Sequence, residues 1–222
     1  MNGKAKQQKM NEVIRRMELL YPDTVCSLHG GNDPFRMLVM AILSAQCTDK
    51  RVNEVSIPLF ERFPDAAAMA EADAPEIEPF IRSCGLYRAK AKNLSLMAKR
   101  LRDVYGGTVP DGMEDLLSLA GVGRKVANLI RGDVFGLGGI VADTHCIRIS
   151  GRLGFADGKD PVKTERALDL LVPVEKQSDY CHRMVDHGRA VCDARNPDCP
   201  HCVLRDLCDY AAENDKKEGL AL

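Results

Sequence analysis

The chain has 222 residues, 45% of them hydrophobic and 28% charged, an ordinary globular balance that excludes collagen-like, coiled-coil and disordered classes. Lys and Arg number 31 against 32 Asp and Glu, a formal net charge of -1, which argues mildly against a polyanion as partner. The one long apolar run, Met37 to Leu43, is too short to span a bilayer, and Met1-Asn2-Gly3-Lys4 starts no apolar signal core. Nine cysteines are the abnormal count; an odd number cannot all pair within the chain. The expected class is a soluble intracellular protein in which some thiols bind metal.

A helical period runs through almost the whole chain. Met10, Val13, Ile14, Met17 and Leu20 share a face before Tyr21-Pro22 ends the first helix. Asp33-Pro34 offers a cap and a first-turn proline to a helix over Phe35 to Gln46, apolar nearly all round and expected at the centre of a core. Ile77, Phe80 and Ile81 mark a short helix stopped by Gly85. Ala91, Leu94, Met97, Leu101 and Val104 mark a longer one stopped by Gly106-Gly107. Asp111 is placed to cap a helix carrying Leu116, Leu117 and Leu119. Beyond Gly121-Val122-Gly123 another runs through Val126, Ala127, Leu129 and Ile130 until Gly136 to Gly139. Asp160-Pro161 caps one containing Ala167, Leu168 and Leu171, and Glu213 to Leu222 is polar enough to fray. No period-2 run appears. The expected fold class is all-α.

Charge is uneven along the chain. Residues 88–102 carry Arg88, Lys90, Lys92, Lys99, Arg100 and Arg102 with no acid, whereas residues 61–79 carry Glu61, Asp65, Glu71, Asp73, Glu76 and Glu78 against Arg62 alone. These are either two solvated helix faces or the basic side and acidic back of one molecule.

Four cysteines crowd near the C-terminus: Cys192, Cys199, Cys202 and Cys208, spaced C-x6-C-x2-C-x5-C. Thiolates this close can enclose one metal centre, the x2 pair chelating from a tight turn while Asn196-Pro197 and Pro200 stiffen the loops. Zinc sites usually pair two short knuckles and only one exists here, so an iron–sulfur cubane fits better than a four-thiolate zinc site or unligated thiols. Cys26, Cys47, Cys84, Cys146 and Cys181 are scattered, each reading as a small buried hydrophobe.

The stretch from Leu116 to Lys125 turns one helix end into the next helix start around Gly121 and Gly123, which let the backbone turn tightly and approach a ligand. No strand precedes it, so the dinucleotide-binding context is absent. In an all-α chain it suggests a helix-hairpin-helix gripping a nucleic-acid backbone without reading sequence, with Arg124, Lys125 and Arg131 adding charge. On these residues alone Lys125 is a phosphate contact, a solvated side chain or something sharper. Asp143 reads as an N-cap for a helix through Ile147 and Ile149.

At these residues the sequence resembles the endonuclease III family of DNA glycosylases. Leu119-Ala-Gly-Val-Gly-Arg-Lys-Val-Ala-Asn128 is similar to its helix-hairpin-helix, Val141-Ala-Asp-Thr-His145 to its catalytic-aspartate segment, and the cysteine array to its [4Fe-4S] loop. Ser44-Ala-Gln-Cys-Thr-Asp49 and Gly85-Leu-Tyr87 resemble two further segments, in collinear order from about Phe35 to Cys208. The resemblance implies a six-helix barrel domain over residues 27–137. Residues 1–26 and 138–222 would form a helical domain holding a [4Fe-4S] cluster at 192–208, with a DNA cleft between the two. It also implies a monomer acting on double-stranded DNA that carries a damaged base or abasic site, with no membrane role. Its location would be cytoplasmic, nucleoid-associated in a prokaryote.

The resemblance further makes Lys125 and Asp143 catalytic, Cys192, Cys199, Cys202 and Cys208 cluster ligands, and Gln46, Leu86, Gly121, Gly123, Arg124 and His145 DNA contacts. Gln46 would fill the space of a flipped nucleotide while Leu86 wedges into the opposite strand. The implied activity is bifunctional: glycosylase removal of oxidised pyrimidines through a lysine Schiff base, then β-elimination 3′ to the abasic site. A partly desolvated lysine among cations would be held neutral enough to attack. Adenine-mismatch glycosylases of this fold lack the lysine and carry a glutamate near the position of Ala41, which favours a lyase-competent enzyme here. Mismatched thymine or uracil is an alternative substrate, and a non-catalytic DNA-binding protein an alternative class. The chain departs from the family in Ala120 for proline, Val126 for threonine and a cluster loop whose 192–199 stretch keeps only Arg195, between Asp193 and Asp198. Near neutrality then implies weak non-specific DNA binding that falls quickly with salt.

Overall fold

The computed structural model describes residues 3–217. Among them the α-helices are α1 (Gly3–Leu20), α2 (Pro34–Leu43), α3 (Asp49–Arg62), α4 (Ala66–Ala70), α5 (Ala74–Ile81), α6 (Tyr87–Tyr105), α7 (Met113–Leu117), α8 (Arg124–Leu129), α9 (Thr144–Arg152), α10 (Pro161–Asp169), α11 (Gln177–Ala190) and α12 (Asp209–Lys217), with no strand among the described residues. The fold class is all-α, as expected. The chain divides into two compact units, Cys26–Gly136 and the described parts of Met1–Val25 with Leu137–Leu222.

The first unit is built on α2. Asp33 accepts hydrogen bonds from the Phe35 and Arg36 amides and Pro34 opens the first turn, so the helix starts where its sequence dictates. Its side chains from Met37 to Leu43 are all buried, each worth about 1.5–3 kcal/mol of burial for the larger ones. The helix ends at Leu43 rather than at Gln46, a correction to the expected span. Ser44 Oγ turns back onto the Ala41 carbonyl at 2.8 Å and Lys90 Nζ donates to the Leu43 carbonyl at 2.9 Å, satisfying acceptors that a further turn would have taken.

The long helix α6 packs against α4 and α5, and this contradicts the reading of a basic side opposed to an acidic back. Lys99 pairs with Asp73 at 3.1 Å and Arg102 with Glu71 at 2.8 Å. Arg100 donates to Ser118 Oγ at 3.0 Å, and Lys90 is only 4% exposed. The two runs of opposite charge are neighbours and partly cancel. Asp111 does not cap α7 either: Gly112 is the N-cap and no side chain bonds there. After α8 the helix widens into a π-helical segment, Ile130–Val134, closed by the Phe135 amide on the Ile130 carbonyl.

In the second unit the stripe of α1 is buried at Met10, Val13, Ile14 and Met17 against Ile149, Phe155, Tyr180 and Met184, while Leu20 is 41% exposed and lies off it. Asp160 caps α10 through the Val162 and Lys163 amides. Residues 213–217 are the last turns of α12, and 218–222 of the stretch expected to fray lie outside the described residues. Helix α11 gave no apolar stripe to read because its buried face includes Gln177, Arg183 and His187.

Candidate functional site

The hairpin joins α7 to α8 through Leu119, 2% exposed, and Val122, 8% exposed, which anchor the turn in the core of the first unit. Gly121 sits at φ 81, where a Cβ would also meet Asn93 at 3.0 Å and Ile42 at 3.3 Å; only glycine fits. Gly123 is different. Its backbone is extended, and a Cβ there would meet nothing within 4 Å, so its bareness leaves room for something outside the chain. Arg124 and Lys125 follow as the first two residues of α8, both exposed.

Gln46 and Leu86 are brought together in the same unit although 40 positions apart in sequence. They are the described non-glycine residues with positive φ, at 53° and 59°. The loops that carry them touch: a Cβ on Gly85 would lie 3.0 Å from the Gln46 carbonyl oxygen. Leu86 is 61% exposed. A left-handed leucine costs roughly 1–2 kcal/mol, and such strain collects where function holds it.

In the second unit Asp143 is the half-buried N-cap of α9, accepting from the Cys146 amide at 2.7 Å. Beneath it Cys146 and Cys181 hydrogen-bond, which with burial pushes the Cys181 thiol well above its ordinary value. The Val141 amide donates to Cys181 Sγ at 3.2 Å. His145 lies on Gly188 of α11, where a Cβ would come within 2.3 Å of its Nδ1, and meets Arg148 Nη2 at 3.1 Å. Lys125 belongs to the first unit and Asp143 to the second.

Cys192, Cys199, Cys202 and Cys208 all line one cavity, together with apolar Val191, Pro197 and Ala211. Burial first, then the field of neighbouring sulfurs, pushes the Cys199, Cys202 and Cys208 thiols upward. A metal centre there must displace those protons. Arginines hold the loop: Arg152 donates to Cys192 Sγ at 3.1 Å, the Asp193 carbonyl at 2.7 Å and the Ala194 carbonyl at 2.9 Å. Arg148 reaches the Cys192 carbonyl at 2.9 Å. The donor set of four convergent thiols in a largely apolar cavity fits a thiolate-held cluster.

Residues 39–173 match the model of the HhH-GPD superfamily of base excision DNA repair proteins. The chain is 44% identical over 208 residues to endonuclease III of Synechocystis, covering 93% of this chain and 94% of that protein. It belongs to the endonuclease III family. Two solved structures are similar to this family member along nearly the whole length of both chains. A non-covalent endonuclease III–DNA complex matches with TM-score 0.87 at 38% identity, covering 95% of this chain and 98% of that one. A trapped endonuclease III–DNA covalent intermediate matches with TM-score 0.87 at 39% identity, covering 94% and 98%.

Several working residues of this endonuclease III family member were not singled out for these roles from sequence. Arg148 and Arg152 bind the cysteine loop. His187 is buried between Tyr21, at 3.2 Å from the phenol oxygen, and Cys202 Sγ, at 3.4 Å, and burial lowers it to about 4. Their one signal was the spacing from Arg148 to Arg152, a single helical turn that puts both guanidinium groups on one face of α9.

Proposed function

We propose that the chain is a base-excision-repair DNA glycosylase with AP lyase activity, acting as a monomer on duplex DNA and removing oxidised pyrimidines. One observation carries this: an exposed lysine, Lys125, stands two residues after the bare Gly123 in a chain similar to a trapped endonuclease III–DNA covalent intermediate. The unprotonated amine attacks C1′ of the damaged nucleoside, the base leaves, and the sugar opens to an imine on Lys125. The imine acidifies the 2′ hydrogens, so β-elimination cuts the strand on the 3′ side. The Asp143 carboxylate takes the proton from the attacking amine or faces the positive charge growing on the sugar. Gly121, Gly123, Arg124 and His145 grip the backbone, Gln46 fills the vacated stack and Leu86 wedges into the other strand.

Cys192, Cys199, Cys202 and Cys208 hold a [4Fe-4S] cluster, which when bound supplies a rigid four-point anchor for the C-terminal residues rather than a chemical step. Arg152 and Arg148 steady its loop. The protein acts in the cytoplasm, at the nucleoid of a prokaryote.

Asp143 has two jobs that one substitution separates. Asn is as good an N-cap as Asp, so Asp143→Asn is expected to keep thermal stability within about 1 kcal/mol. Excision in single turnover should fall by roughly 10²–10⁴-fold; an equal fall in stability would show that only the cap mattered. Leu86→Gly relieves a left-handed leucine at the expense of glycine's greater chain entropy. Stability is expected to hold or rise by up to about 1 kcal/mol while excision drops about tenfold or more. A destabilised but fully active variant would contradict the wedge. The activity itself is tested on a panel of single-lesion duplexes: thymine glycol and other oxidised pyrimidines should be cut faster than T·G or U·G mismatches. The reverse order would move the substrate to mismatched bases, and no cutting of any duplex would leave only a DNA-binding protein.

A further inference from the structure

Two cysteines outside the metal loop meet directly under the strained residues. Cys47 follows Gln46 and is half-buried, Cys84 precedes Gly85-Leu86 and is 2% exposed, and the two thiols are near enough for Cys47 to act on Cys84. The contact is fixed from both sides. The Gly85 backbone lies against the Gln46 carbonyl, the Cys47 amide bonds the Ser44 carbonyl at 3.1 Å and the Cys84 amide bonds the Ile81 carbonyl at 2.9 Å. Buried Lys90 sits beside them on the Leu43 carbonyl at 2.9 Å. Burial, then the neighbouring Cys47, pushes the Cys84 thiol up to about 11, opposed by the charges of Lys90 and Arg51. Because Cys84 is buried and Cys47 only half-buried, Cys47 is the thiol that an oxidant reaches first and Cys84 the resolving partner.

We infer that Cys47 and Cys84 form an oxidisable dithiol site whose disulfide changes the spacing of the Gln46 and Leu86 loops. The oxidant is a low-molecular-weight disulfide. Cys47 thiolate attacks one of its sulfurs, the S–S bond breaks, and one small thiolate leaves and takes up a proton. Cys84 thiolate then attacks the Cys47 sulfur and displaces the second small thiol. Two protein thiols are oxidised to one disulfide while one small disulfide is reduced to two thiols. A disulfide holds its two Cα atoms about 4.4–6.8 Å apart with a dihedral of roughly 90°, so the bond would impose that spacing on the two loops. Displacements on the order of 1 Å at a positioning group are enough to slow a reaction severely.

The consequence for excision rests on the proposed glycosylase reading; the site itself does not. The full chain with its cluster is treated with oxidised glutathione, the remaining thiols are alkylated, and peptides are mapped by mass while visible absorbance follows the cluster. A peptide pair linked through Cys47 and Cys84 is expected, with single-turnover excision slowed tenfold or more and restored by dithiothreitol. Cys47→Ser, at a half-exposed position, should excise at the wild-type rate with and without oxidant. Absence of the 47–84 link overturns the site, and a link that leaves excision unchanged overturns its effect on the loops. If the protein excised no base at all, the link would still form against a zero baseline, so the two failures are told apart.

Discussion

Lys125→Ala is expected to give no borohydride-trapped adduct with an abasic or thymine-glycol duplex, where the wild-type chain is captured covalently. The loss in strand cleavage should be on the order of 10⁴-fold or more, the scale on which removing a nucleophile acts. Folding should be untouched, because Lys125 is exposed at the second position of α8 and the turn behind it is anchored by Leu119 and Val122. Duplex affinity should fall only by the worth of one cation near the backbone, seen as a slightly shallower salt dependence. Equal trapping by the alanine variant would place the nucleophile elsewhere.

Cys199→Ser is expected to act through the fold before it touches chemistry. The stretch from Cys192 to Cys208 has two short 3-10 turns, Cys199–His201 and Arg205–Leu207, and one fully buried apolar side chain, Leu204. Such a loop has too little core to order itself. Arg148 and Arg152 are clamped to its carbonyls, and four thiols held on the proposed cluster would order the rest. Losing one ligand should lower bound iron and sulfide well below four each per chain. It should also cost several kcal/mol, a large part of an ordinary domain's stability of about 5–15 kcal/mol. Full iron content with an unchanged unfolding temperature would contradict a structural cluster. Cys26→Ser is the useful contrast: burial and Asp133 push its thiol up to about 12, it lies outside the 192–208 loop, and its loss should leave the loop's iron unchanged.

The amino-acid sequence by itself determined much of what is local, though not the start of α7, where Gly112 and not Asp111 is the N-cap. Asp33, Asp160 and Asp143 mark helix starts because a carboxylate two or three residues before free amides caps them wherever the chain lies. The hairpin glycines and the cysteine spacing are likewise chemistry carried within a few residues, and through them the resemblance reached Lys125. Tertiary structure alone decided what depends on partners far along the chain. Lys90, read as part of a basic face, is buried on a carbonyl 47 positions away. The acidic run of 61–79 lies beside the basic helix and pairs with it. The cysteines read as bystanders meet in pairs, Cys47 with Cys84 and Cys146 with Cys181. The net charge of -1 belongs to the same lesson: a sum carries no positions, and the field a partner meets is set by which charges packing has already neutralised.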